Sequence, residues 1–309
     1  MDGKTLRNQL AYLIRESTTS SFLDEKTSYD FLYEAAVEFC RITQALHGIQ
    51  TITTTADTTG YVLNPDFLSL QVMDSFNTWA VKFYDGTSTS FISFRPYEAI
   101  YYANNTTAAG VPNNFSITDV ITQTANITGL AAATGSASET QPQLTGTAEA
   151  FANASVGDSI HNTSDGSDGI IISKTSNTIL LTNLFYGSLN YWTSGDAYVI
   201  VPQGRKQLVV DPPSSVAGYT ITVPYVQKPS PVYSEYGTYR FDPIYAPSLV
   251  KYAAWLYKYR DREPNYGDAF FTYFTAQVRR AAKDINKAYD RSKFRVNLTK
   301  RSLGDRSYR

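Results

Sequence analysis

Apolar residues recur every three to four positions at both ends of the chain and every second position through its middle. At one end, "TLRNQLAYLIRE" sets Leu6, Leu10, Leu13 and Ile14 on one helical face. "KTSYDFLYEAAVEFCRITQALHG" does the same with Leu32, Ala35, Phe39, Ile42 and Leu46, and Gly48 is suited to end that helix in a left-handed cap. At the other end, "SLVKYAAWLYKYR" aligns Leu249, Ala253, Leu256 and Tyr259 or Arg260. "PNYGDAFFTYFTAQVRRAAKDINKAY" then aligns Phe270, Phe274, Val278, Ala281 and Ile285 behind Pro264, a residue favoured at a first helical position. A helix with one apolar stripe must bury it, and the simplest cover is another such stripe. The two ends are therefore expected to meet in a helical bundle.

Between them the period changes to two. "TITTTADTTGYVL", "FLSLQVMDSF", "TWAVKFYDGTSTSFISFRPYEA", "QLVVDPPS" and "YTITVPYVQKP" read as strands broken by Asp-Gly and Pro signals. Residues 104–203 differ from both flanks, with one basic residue, Lys174, against seven acidic ones, and with abundant Ala, Thr, Ser and Gly. Their second half alternates well ("GIIISKTSNTILLTN", "DAYVIVP"), whereas "LAAATGSASETQPQLTGTAEAFANA" has weak periodicity. The expected fold class is α+β. Residues 1–48 and 245–290 form the helical bundle, 49–117 and 204–244 an adjoining β-layer, 118–203 an inserted all-β module, and 291–309 an extended basic arm.

Composition adds apolar material for real cores, at 42% hydrophobic and 18% charged residues. The 24 Tyr and 16 Phe suit either wet protein interfaces or β-structure, and both readings stand. Cys40, the single cysteine, excludes an intrachain disulfide framework and any CxxC metal site. The opening "MDGKTLRNQLAYLIRE" lacks a basic stretch followed by an apolar run, and no apolar stretch is long enough to span a bilayer. Synthesis and folding in a cytoplasm, away from membranes, are expected. The net charge of -1 hides a strong asymmetry. Residues 251–309 carry 15 Lys/Arg and 6 Asp/Glu, which leaves 12 basic and 22 acidic groups in the rest. Such an end seeks an acidic partner.

Candidate chemistry is thin. In "HNTSDGSDGIII", His161, Asn162, Asp165 and Asp168 crowd around two glycines, but the spacing fits neither an EF-hand nor a phosphate loop. Asp165-Gly166 and Asp168-Gly169 read instead as turn residues of a hairpin. Cys40 and His47 share a helical face but stand two turns apart, roughly 10 Å, which is too far for a thiol–imidazole pair. Carboxylate pairs such as Asp66 with Asp74, or Glu235 with Asp242, look like surface charges, and no GxSxG, GxxxxGK[ST] or HExxH string occurs. No enzyme, cofactor or metal is expected. The basic end is the strongest signal, because "RSKFRVNLTKRSLGDRSYR" has no core of its own and orders only against a partner.

The helices at both ends, the phrase "ITVPYVQKPSPV" and the helix opening "PSLVKYAAWLYKYRD" together resemble tailed-bacteriophage head-to-tail adaptor proteins. The segment "VGDSIHNTSDGSDGIIISKTSNTILLTNLFYGSLNYWTSGDAYVIV", with its VGD, DGS and GDAY turns, is similar to a small β-module of phage virion proteins. The resemblance spares only residues 119–150. It implies a non-enzymatic virion protein at the head–tail interface, a twelve-membered ring that joins the portal to the tail. DNA would pass through its channel without sequence recognition. The partners would be the portal protein, a tail nozzle, tube or terminator protein, and copies of the chain itself. The portal- or neighbour-binding arm would use Arg291, Lys293, Phe294, Arg295, Lys300, Arg301, Arg306, Tyr308 and Arg309. The rival expectation is a tail-fibre or baseplate protein whose Tyr-rich β-surface binds host glycans.

Overall fold

The computed structural model describes residues 1–17, 23–71, 81–104, 108–120, 125–135, 142–260 and 267–285. Helices α1 (Gly3–Ile14) and α2 (Glu25–Thr43) come first, followed by β1 (His47–Thr53), β2 (Gly60–Val62), β3 (Phe67–Leu70), β4 (Lys82–Tyr84), β5 (Thr89–Phe91) and β6 (Ser93–Phe94). After α3 (Tyr97–Asn104) come β7 (Asn114–Asp119), β8 (Ile127–Leu130), β9 (Gln143–Thr145), β10 (Ser159–Asn162), β11 (Ser167–Ser176), β12 (Ile179–Phe185) and β13 (Ala197–Val201). Strands β14 (Lys206–Asp211) and β15 (Thr220–Gln227) precede α4 (Ala246–Arg260), and residues 267–285 form α5.

This corrects the expected class. The protein is mostly β, with fifteen strands in three sheets among the described residues and only about 29% helix, so no α+β fold is built around a helical-bundle core. β2, β4, β5 and β6 fall within stretches already read as strand, so the expectation erred in giving the core to the terminal helices; β8 and β9 add strands that were not singled out. β9 has three residues, and a strand of that length shows at most one alternation. The partners of β8 and β9 supply the order that their own sequences do not advertise.

Two compact units divide the chain. The first holds the described residues of 6–45 and 240–285. Within it α2 packs on α4, and Leu32, Ala35, Phe39 and Cys40 are buried, as are Leu249, Ala253 and Tyr257. The ring of Phe39 meets Phe241 at 5.3 Å and Tyr245 at 5.0 Å. Asp24 caps α2 by accepting the Thr27 N–H at 2.7 Å. The helix stops before Gly48, at Gln44, whose φ of 53° is left-handed and whose N–H reaches the Cys40 carbonyl at 2.8 Å. Strand pairing begins at once, because the Leu46 carbonyl already accepts the Gln227 N–H.

The second unit holds residues 2–5 and 46–239 with all three sheets. A five-stranded sheet (β1-β15-β4-β5, with β3 also on β15) and a four-stranded one (β2-β14-β7-β6) share one core. Ile52, Phe83, Ile221 and Val223 enter it from the first sheet, and Tyr61, Phe115, Leu208 and Val210 from the second. The six-stranded sheet (β8-β13-β10-β11-β12-β9) closes over its own core around Trp192, whose Nε1 donates to Thr182 Oγ1 at 3.0 Å.

Pro224 lies inside β15, which has partners on both sides. A proline there removes a ladder bond unless its nitrogen faces a break. It does face one. β4 pairs with residues 220–222 and β3 with residues 225–227, and between them only the Gln71 N–H reaches the Pro224 carbonyl, at 3.2 Å. Two residues earlier the alternation turns the Thr222 N–H toward β4. Pro224→Ala should therefore change stability by less than about 1 kcal/mol, whereas Thr222→Pro should cost about 3 kcal/mol or more. Urea denaturation of the two variants checks the contrast.

Candidate functional site

The His161–Asp168 loop is a hairpin between β10 and β11. Asn162 Oδ1 accepts the Ser164 N–H at 2.9 Å, Asp165 Oδ1 accepts the Ser167 N–H at 2.8 Å, and Gly166 takes φ 78°. Gly169 is no turn residue. It sits in β11, where a Cβ would lie 2.1 Å from the Asn183 carbonyl oxygen, so this glycine permits a close strand approach. His161 Nδ1 lies 2.6 Å from Asp168 Oδ1, a cross-strand pair in register. Asn162 Nδ2 donates instead to Asp196 Oδ2 at 2.9 Å. Only His161 and Asp168 come together while Asn162 and Asp165 turn to other groups, and among the described residues no group of three or more His, Cys, Asp or Glu could hold a metal ion.

The remaining candidates separate in the same way. Cys40 is buried in α2, while His47 opens β1 rather than extending the helix. Burial pushes the Cys40 thiol up to about 12 and, with Cys40 nearby, the Tyr33 phenol up to about 12 as well. Burial and the Glu34 and Glu38 carboxylates raise Tyr252 to about 12. Asp66 accepts Tyr225 Oη–H at 2.8 Å and Gln227 Nε2–H at 2.6 Å, which ties the end of β15 to the loop before β3. Asp74 lies outside the described residues. Glu235 pairs with Lys4 at 2.9 Å, and Asp242 accepts the Ile244 N–H at the start of a 3-10 turn. These carboxylates hold structure.

Every arm residue singled out from the sequence, Arg291 through Arg309, lies outside the described residues. The structure does describe the helix that leads to them. On α5, Arg279, Arg280 and Lys283 are exposed, and Phe270, Phe274, Val278 and Ala281 are buried. From α4, the Trp255 ring lies tilted 4.8 Å from Phe271, and Tyr252 lies 4.7 Å from Phe274. Lys251 Nζ sits over the Phe270 and Tyr273 rings at 5.0 and 5.2 Å. Phe271 and Tyr273 remain 40% and 39% exposed, and Tyr259 is 65% exposed. Sequence reasoning singled out the basic residues but not this aromatic ground beneath them; the run "FFTYF" was the available signal. The arrangement suits binding by charge and aromatic contact.

No protein-family model matches the chain, and no curated protein is significantly similar to it.

The raised thiol and phenols of the helical unit carry a pH prediction. Each folded group keeps its proton to about 12, while unfolded thiol and phenol lose theirs near 9.0 and 10.0. Their contribution is whole below pH 9.0 and is lost as pH rises toward 12. Denaturant midpoints should fall steadily across that window, and Cys40→Ala should make the early part of the fall shallower. A midpoint flat from neutral pH to the top of the window would refute the assignment.

Proposed function

We propose that the protein is a structural virion component, a head-to-tail adaptor that forms a ring between portal and tail around the DNA channel. One observation supports this most. A single helical unit gathers the described residues of 6–45 and 240–285, and its last described helix bears exposed Arg279, Arg280 and Lys283 shortly before, in sequence, the basic segment 291–309. Such a unit can present a charged, aromatic-based grip while the β unit remains free for other contacts. Each grip is weak alone, since exposed ion pairs contribute about 0–1 kcal/mol. Repetition around a ring converts many weak contacts into one durable assembly.

The mostly β architecture is compatible with this role, because the role depends on what the surfaces present and not on helix content. Adaptor function also needs no catalytic group, and the carboxylates considered above are engaged in holding loops and turns.

Deleting residues 291–309 should leave the thermal unfolding midpoint of the remainder unchanged and abolish sedimentation with purified portal rings. Negative-stain imaging of the full chain with portal should show twelvefold rings. Undiminished docking by the truncated chain would remove the arm from the mechanism. Trimers that bind glycans would favour a fibre or baseplate role instead.

A further inference from the structure

The five-stranded sheet ends at β1 on one side and β5 on the other. Two hydrogen bonds define the alternation along β1: Gln227 N–H to the Leu46 carbonyl and Thr54 N–H to the Tyr219 carbonyl. Even-numbered residues therefore bond β15, and the N–H and C=O of His47, Ile49, Thr51 and Thr53 point out of the sheet. On the far side, Asp85 N–H to Ser88 and Ile92 N–H to Val81 leave the backbone groups of Thr89 and Phe91 pointing outward.

Open edges invite pairing, and proteins usually blunt them with charge, proline, bulges or brevity. The other sheets do so by brevity: β2, β6, β8 and β9 have two to four residues each. β1 is the exception. It runs seven residues, HGIQTIT, without Lys, Arg, Asp, Glu or Pro, and its register with β15 has no bulge. The sheet's outer face continues the theme. Thr51, Thr222, Lys82 and Phe91 lie in one cross-strand row, and Ile49, two residues from Thr51, shares their face. The two most exposed large apolar side chains of this sheet, Ile49 at 68% and Phe91 at 55%, thus stand on the same face at opposite edges.

We propose that β1 of one copy pairs with β5 of the next, so that the sheet continues from copy to copy. Strand direction permits it. Every neighbouring pair along β1-β15-β4-β5 is antiparallel, so β5 runs opposite to β1 and a copy added in the same orientation offers an antiparallel strand. The join sets Ile49 against the neighbouring copy's Phe91, a β-branched–aromatic pair of the kind that stabilises sheets. Such a contact is head-to-tail and propagates, closing into a ring when the rotation per copy divides a full turn. The proposal rests on the ring reading above and names the surface by which ring members hold one another.

Engineered cysteines test it in the full chain, because the one native thiol, Cys40, is buried. Ile49→Cys with Phe91→Cys together should give a ladder of disulfide-linked dimers, trimers and larger species, and either change alone should give none. Ile49→Lys should raise the concentration needed for half-assembly by roughly tenfold or more without moving the melting midpoint. Rings that form normally in Ile49→Lys and never cross-link would overturn this seam while leaving the ring reading intact. Dimers from Ile49→Cys alone would show β1 pairing with itself, which also overturns it. A chain that neither cross-links nor self-associates at any concentration would remove the seam and the self-assembling ring together.

Discussion

β15 is the constraint on which the larger unit depends. Among the described strands of the five-stranded sheet it is the one that pairs with three others, taking β1 on one side and β4 then β3 on the other. Its inward residues, Ile221, Val223 and Tyr225, are central to the core shared with the four-stranded sheet. A strand in that position would ordinarily reject proline. Pro224 is tolerated because its missing N–H coincides with the changeover from β4 to β3. The same proline then limits how far the β3 ladder can run. Just beyond, Asp66 grips Tyr225 and Gln227, so the polar contacts resume where the backbone ladder has been interrupted.

The six-stranded sheet solves a different problem with few charges. Lys174, the one basic residue between 104 and 203, donates to the carbonyls of Phe151, Ala152 and Ala154 at 2.7, 3.1 and 3.2 Å. It thereby gathers three neighbouring turn carbonyls on one ammonium, of which that of Phe151 also accepts the Ala154 N–H at 3.0 Å. Asp158 plays the converse part, accepting the N–H groups of Ser155 and Gln203 at 2.8 and 3.0 Å. Burial raises its carboxyl above the usual range, and those two N–H donors oppose the rise. Ionic residues that look like surface charge in the sequence are thus spent on closing turns.

What the sequence made legible follows from length of pattern. α1, α2, α4 and α5 were readable because each repeats its apolar stripe over three or more turns, and β11 and β12 because they alternate for seven residues or more. α3 was missed, since the stretch read as strand ran on to Ala99 and took in its first three residues, and eight residues give barely two turns of evidence. β9 was unreadable in the weakly periodic 130–154 stretch, and β8 just ahead of it was not singled out, because their order comes from pairing with β12 and β13. The stop of α2 was misplaced for a related reason. Glycine is the favoured left-handed cap, but the onset of β1 pairing forces Gln44 into that conformation before Gly48 is reached. At the site level, Gly166 followed from turn chemistry, whereas Gly169 did not, because its reason is a strand that arrives from residue 183. The aromatic ground on α4 and α5 was hidden in a different way, as core and surface aromatics look alike until the helices are placed.

A fold this rich in strands has many ends at which a stranger's backbone could attach, and four of its edge strands are kept to two to four residues. The device costs little, since a short strand can still close a core. Leaving β1 long and uncharged is therefore informative, because the same sequence shows that the chain can shorten an edge elsewhere. Selection against aggregation would remove such an edge from a solitary protein. In the proposed ring the edge would be tolerated, because closure would give every open edge a fixed partner and leave none for strangers.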